Sequence, residues 1–289
     1  MNLLSVEGIS KSYGEKVIFT PISFGINQGQ KIALIAKNGS GKTSILNIIA
    51  GQDTPDQGNV VIRKGTRVAY LAQEPNLNPK LTVEQSILQA DNPILKIIAE
   101  YDKSLENPED QEAYQKAFEA MDQSQAWDFD TQYKKILSKL KLDDLNASVG
   151  SLSGGQKKRI ALCNALLIQP ELLILDEPTN HIDLEMIEWL ESYFAKEKIT
   201  LLMVTHDRYF LERVCNEIIE LDEGKLYSYK GNYSYYLEKR ESRIAQENIE
   251  AHKTKLHFKK ELDWMRRQPK ARTTKSKSRI QDFKEIKEK

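Results

Sequence analysis

The stretch ALIAKNGSGKTS, residues 33–44, sets a glycine-rich turn between the apolar run KIALI and the helical run SILNIIAG. The turn Asn38-Gly39-Ser40-Gly41-Lys42-Thr43-Ser44 aims backbone N–H groups and a helix N-terminus at one place, an arrangement that suits phosphate. In the pattern G-x-x-x-x-G-K-[ST] the lysine reaches the β- and γ-phosphates and the hydroxyl binds Mg²⁺, roles that fall to Lys42 and Thr43. Ala36 replaces the first glycine. Because alanine adopts φ > 0 only at a cost, this position departs from the pattern, whereas Gly39 and Gly41 stand where the backbone hugs the phosphates.

A second stretch, LLILDEPTNHID (residues 172–183), ends an apolar strand in adjacent carboxylates, Asp176 and Glu177. Strand alternation predicts that their side chains point in different directions. Asp176 is expected to hold the water shell of Mg²⁺ while Glu177 orients an attacking water, the division of labour of a nucleoside triphosphatase. In a third stretch, SLSGGQKKRIALCNALLIQP (residues 151–170), Ser153, Gly154, Gly155 and Gln156 open a helix. Ser153 can cap that helix, and the exposed amides can meet a second phosphate.

These motifs need a rigid frame. KIALI, NVVIR, RVAYLA, LLILDE, ITLLMVTH and EIIELDE alternate with helical stretches over residues 1–236, the rhythm of an α/β sheet with buried strands. Residues 75–150, rich in helix formers, are expected to form a helical subdomain, with room for an inserted arm. From about Tyr233 no strand pattern occurs. Leu237, Ile244, Ala251, Phe258 and Met265 recur every seven residues, widened by Ile249, Leu256 and Leu262, which predicts one long helix with a narrow packing face. Pro269 stops it, and helical spacing resumes at Ile280, Phe283 and Ile286. Residues 237–289 thus read as a helical hairpin with a basic tip.

The chain has 42 bases and 42 acids, yet residues 238–289 carry 17 bases and 9 acids, so the two parts have different partners. Within WMRRQPKARTTKSKSRI (residues 264–280) lie Arg266, Arg267, Lys270, Arg272, Lys275, Lys277 and Arg279 and no acid. Such a cluster neutralises nucleic-acid phosphates, and the lack of interleaved aromatics favours backbone over base contacts. No basic n-region precedes an apolar core, and no run of about 18 apolar residues occurs, so neither export nor a membrane span is supported and a cytoplasmic location is expected. Cys163 and Cys215 each sit in an apolar run and read as buried free thiols.

The segment Leu152–Gln156 resembles the signature sequence of ATP-binding-cassette (ABC) proteins. The resemblance implies further roles in family order. Tyr13 in KSYG stacks on adenine, Gln73 in YLAQEP forms the Q-loop and shares the Mg²⁺, Asp183 forms the D-loop, and His206 in VTHDRYF is the switch histidine. DEPTNHID and THDRYFL are similar to the ABC-F family, and the resemblance covers the whole chain. It implies a P-loop ABC nucleotide-binding domain (1–236) followed by the interdomain hairpin (237–289). Implied as well are ATP and Mg²⁺ as ligands, a second cassette as partner, and contact of the basic tip with tRNA and rRNA on the ribosome. The chain carries one phosphate loop and one signature, and so reads as an N-terminal portion ending in the return helix of the hairpin. Two alternatives share the cassette motifs: the ATPase subunit of a transporter, and a DNA-binding ABC ATPase.

Overall fold

The computed structural model describes residues 1–90, 92–106 and 109–266. Two sheets and nine α-helices are present among them. Strands β1 (Asn2–Tyr13), β2 (Lys16–Asn27) and β4 (Gln57–Ile62) form an antiparallel sheet in the order β2-β1-β4. The remaining strands are β3 (Lys31–Ala36), β5 (Val68–Leu71), β6 (Leu172–Asp176), β7 (Thr200–Val204), β8 (Glu217–Asp222) and β9 (Lys225–Lys230). They form a second sheet in the order β5-β6-β7-β3-β8-β9, parallel throughout except at β9.

The order follows from the residues. Every residue of LLILD and TLLMV is buried, as expected of parallel strands covered on both faces. NVVIR corrects the single-sheet reading: its strand β4 pairs with β1 in the antiparallel sheet. Strands β1 and β2 carry register shifts that break a clean two-residue alternation, so periodicity alone conceals them.

Helix α1 (Lys42–Ile49) buries Ile45, Leu46, Ile48 and Ile49 in one core with Ile32 and Leu34 of β3, Leu172 and Ile174 of β6, and Leu202 and Val204 of β7. Each such side chain contributes about 1.5–3 kcal/mol of hydrophobic stabilisation, so α1 holds the preceding glycine turn firmly against the sheet. Helices α2 (Val83–Leu88), α3 (Pro93–Glu106), α4 (Gln111–Gln123) and α5 (Ala126–Lys139) follow β5. The two ends of this helical stretch are stitched together, with Val83 N–H donating to Ala147 O at 3.0 Å and Val149 N–H to Leu81 O at 2.9 Å. Helix α6 (Gly154–Leu167) packs on α2, α5 and β5, and so touches both the helical layer and the sheet. Helices α7 (Leu184–Lys196) and α8 (Arg208–Val214) pack on each other. Cys163 and Cys215 are buried free thiols.

The chain divides into two compact units, Met1–Tyr233 and a second from Ser234 onward. The second contains helix α9 (Tyr233–Arg266), 34 residues and about 50 Å long at 1.5 Å per residue. Along its apolar stripe Leu237, Ile249 and Leu256 are 38%, 55% and 48% exposed, while Ile244, Phe258 and Leu262 are half-buried. Pro269, the tip and the return-helix residues Ile280, Phe283 and Ile286 lie outside the described residues. Among the described residues no helix is long and apolar enough to cross a membrane.

Candidate nucleotide site

The C-terminal ends of β3, β6 and β7 bring three segments to one edge of the sheet, where open parallel sheets place their ligands. The glycine turn follows β3, Asp176 ends β6, and His206 follows β7. Asn38, Gly39, Gly41, Lys42, Thr43, Ser44, Gln73, Asp176, Glu177 and His206 line a single cleft of about 430 Å³, with Ile18 and Asn180 beside them. A larger groove of about 740 Å³ between α5 and α7, lined in part by Asp128, Lys135, Trp189 and Tyr193, has charged side chains but no glycine turn to bring backbone N–H groups to them.

Gly41 caps α1 at φ 86° and Gly39 sits at φ 79°, the left-handed region that glycine enters without strain. Ala36, by contrast, is the last residue of β3, paired with Leu221 and extended. The expectation that this position calls for φ > 0 is corrected, since strand geometry suits alanine. Ala36→Gly should therefore change ATP affinity by no more than a few-fold, the scale of a roughly 1 kcal/mol backbone effect, as calorimetric titration can check. A gain of about a hundred-fold would contradict that reading.

Lys42 Nζ donates to Ala36 O at 3.1 Å, Lys37 O at 3.4 Å and Asn38 Oδ1 at 3.4 Å. Burial lowers its pKa, opposed by Glu177 and Asp176. An ammonium in this position gains a stronger partner from an anion in the cleft. The Ser40 hydroxyl is enclosed in the turn without a hydrogen bond.

Asp176 is 1% exposed, and neither carboxylate oxygen has a hydrogen bond. Burial raises its pKa, while the neighbouring Thr43 hydroxyl, Lys158 and Lys42 pull it back. A buried carboxylate with orphaned oxygens, in one cleft with Thr43 and Gln73, is a hard oxygen set that fits a divalent cation such as Mg²⁺.

Glu177 lies past the end of β6 at φ 50°, so strand alternation does not govern it, and both carboxylates face the same cleft. Its N–H donates to Val204 O at 2.7 Å, and its Oε2 accepts from His206 N–H at 3.2 Å. His206 Nε2 stands 3.4 Å from Oε1. The pair is thus assembled on one side of the cleft.

Tyr13 does not line the cleft but reaches it through Ser44, whose Oγ is 3.5 Å from the phenol oxygen. The same hydroxyl donates to Asp53 Oδ2 at 2.9 Å, and Lys11 Nζ lies 5.2 Å from the ring centroid. Lys11 and Tyr13 hold the Asp53 carboxyl below the usual range. Lys11 and Asp53 were missed in the sequence because nothing local links them to residue 13.

Ser153, Gly154, Gly155, Gln156 and Asp183 do not line the cleft. Ser153 Oγ accepts from Gln156 N–H and Gln156 Oε1 from Ser153 N–H, a reciprocal cap that opens α6. Gly155 has a packing reason as well, since a Cβ there would meet His181 O at 2.8 Å. Asp183 caps α7 through Met186 N–H and pairs with Lys141 and Arg159, which together hold its carboxyl below the usual range. Lys158, which no motif in the sequence singles out, is buried. Its spacing to the apolar residues Leu162 and Ala165 was the available signal. Of the proposed nucleic-acid residues, Arg266 ends α9, while Arg267, Lys270, Arg272, Lys275, Lys277 and Arg279 lie outside the described residues.

A family model described as "ABC transporter" matches residues 19–180, more than half of the chain, and a second of the same description matches residues 219–289. The chain belongs to the ABC ATPase family. It is 43% identical over 295 residues to the uncharacterized ABC transporter ATP-binding protein YfmR of Bacillus subtilis, covering 100% of this chain and 47% of that protein. It is 39% identical over 290 residues to the energy-dependent translational throttle protein EttA of Mycobacterium tuberculosis, covering 98% of this chain and 52% of that one. These relatives make it an ABC-F-like cassette, and it spans about half of their length. The ABC fold is shared with a solved ATP-binding subunit of an ABC transporter, at TM-score 0.60 and 23% identity over 79% of this chain and 90% of the other. It is shared also with the cassette MJ0796, solved as a dimer in a post-hydrolysis state bound to ADP and Pi, at TM-score 0.57 and 23% identity over 79% and 98%.

Proposed function

We propose that this ABC cassette binds and hydrolyses ATP with Mg²⁺, and that it serves a cytoplasmic translation factor whose basic segment contacts ribosomal RNA or tRNA. The observation that carries the catalytic part is the orphaned, buried Asp176 carboxylate beside the Glu177–His206 pair, at the mouth of the phosphate turn. Lys42 and the amides of residues 39–43 bind the phosphates. Thr43, Gln73 and Asp176 would hold Mg²⁺, which when bound would neutralise charge on the phosphoryl oxygens. Glu177, oriented by His206, accepts a proton from the attacking water. Tyr13 stacks on the adenine, held by Asp53 and Lys11. Ser153, Gly154, Gly155, Gln156 and Asp183 serve a nucleotide held mainly by a second cassette, in keeping with their absence from this chain's own cleft.

The translational role rests on the similarity to proteins named translational throttle and on the cluster Arg266, Arg267, Lys270, Arg272, Lys275, Lys277 and Arg279. Its test is a charge-reversed tip in the whole protein, with several of these residues changed to Glu, in ribosome co-sedimentation across a salt series. Binding should weaken most at low salt, by a margin that shrinks as salt rises, because fewer counterions are released. ATP affinity should not change. Undiminished sedimentation at every salt would remove the tip from the interface, and preferential retention on naked DNA would redirect the reading to a DNA-binding ATPase.

A further inference from the structure

Lys158 is 2% exposed and stands among the largest fully buried side chains. Its Nζ donates to three main-chain carbonyls: Glu177 O at 2.6 Å, Gln73 O at 3.3 Å and Asp176 O at 3.5 Å. An ammonium has three N–H donors, so this set satisfies it without a direct carboxylate partner. Burial lowers its pKa, opposed by the charges of Asp176 and Glu177. An apolar side chain of similar volume would cover the same space at less electrostatic cost, so packing alone does not account for a lysine.

The bonds point to what the charge does. Glu177 occupies a left-handed conformation, which a residue with a side chain holds only when its surroundings fix it. Its N–H is held by Val204 at the end of β7, its carboxylate by His206, and its carbonyl by Lys158 from α6. The same ammonium grips the carbonyl of Gln73, which follows β5, the strand paired with β6. Since α6 begins at the Ser153–Gln156 signature, one side chain links that signature to the backbone of both residues.

We propose that Lys158 is a positioning residue for hydrolysis, fixing the Glu177 and Gln73 backbones to the signature helix so that turnover, rather than nucleotide binding, depends on it. This rests on the ATPase reading above. The test compares wild type, Lys158→Met, Lys158→Gln and Glu177→Gln in the whole protein, reading turnover, ATP affinity, thermal unfolding and amide hydrogen exchange. Lys158→Met keeps length and loses the donors; its kcat should fall at least about ten-fold, as expected when a reacting group shifts slightly, with ATP affinity within about three-fold. Lys158→Gln, which restores one donor group, should recover part of the rate. Exchange should rise at the amides of Glu177 and Asn180, the latter bonded to Glu177 O, and stay unchanged in β3. Unchanged kcat in Lys158→Met would overturn the proposal. So would affinity and kcat falling together with the unfolding temperature, or equal kcat in the Met and Gln variants. If Glu177→Gln also turns over normally, the ATPase reading itself has failed; if only Lys158→Met does, this proposal alone has.

Discussion

Glu177→Gln should bind ATP within about three-fold of wild type and lose turnover by about 10²–10⁴-fold, the usual contribution of a positioned general base. The amide preserves the side chain's shape, and its oxygen can still accept the His206 N–H that now reaches Oε2 at 3.2 Å. It cannot take a proton from water. The phosphate turn is untouched, because Gly39, Gly41 and Lys42 belong to a different segment, after β3. Steady-state phosphate release in the whole protein, corrected for any second site, reads the turnover, and titration calorimetry reads the affinity. A variant of this kind should also accumulate the ATP-bound state.

Gly41→Ala should be the most damaging single methyl in the site. Gly41 combines φ 86° with a crowded wall: a Cβ there would stand 2.3 Å from Ile18 Cγ2 and 3.0 Å from Phe19 Cδ1. The left-handed conformation costs a residue with a Cβ about 1–2 kcal/mol. Forcing an extra carbon into packed surroundings costs about 1–3 kcal/mol more, so the turn should open instead of accepting both. A combined penalty of about 2–5 kcal/mol on the bound geometry corresponds to roughly 30- to 5,000-fold weaker ATP binding. Gly39→Ala is the control, since φ 79° there carries the conformational cost but nothing lies within 4 Å of its Cβ. It should lose much less. Equal losses in the two variants would show that the wall formed by Ile18 and Phe19 does not matter.

Much of the cleft was legible because its parts are local. A glycine turn between a strand and a helix, and two carboxylates closing a fully apolar strand, state their chemistry within a dozen residues. The parallel sheet was legible for the same reason, as runs such as LLILD and TLLMV have no polar face to alternate. What escaped notice depends on contacts distant in sequence. The antiparallel sheet is made by β1 and β2, whose bulges break the alternation, and by β4, which looks like any other apolar run. Tyr13 is oriented by an aspartate 40 residues away, and Lys158 is buried by carbonyls 19 and 85 residues away. Glu177 illustrates a different limit: its left-handed backbone is set by Val204 and Lys158, so a strand rule extended by one residue gave its direction wrongly.

One cleft is expected both to bind and to hydrolyse ATP, with binding carried by the turn after β3 and chemistry by the residue after β6. The measurement that tests it most directly is ATP affinity and turnover on the same preparations of wild type, Gly41→Ala and Glu177→Gln, with Mg²⁺ present. Gly41→Ala should lose affinity, while Glu177→Gln should keep affinity and lose turnover. Turnover by Glu177→Gln at the wild-type rate, or full affinity in Gly41→Ala, would contradict it.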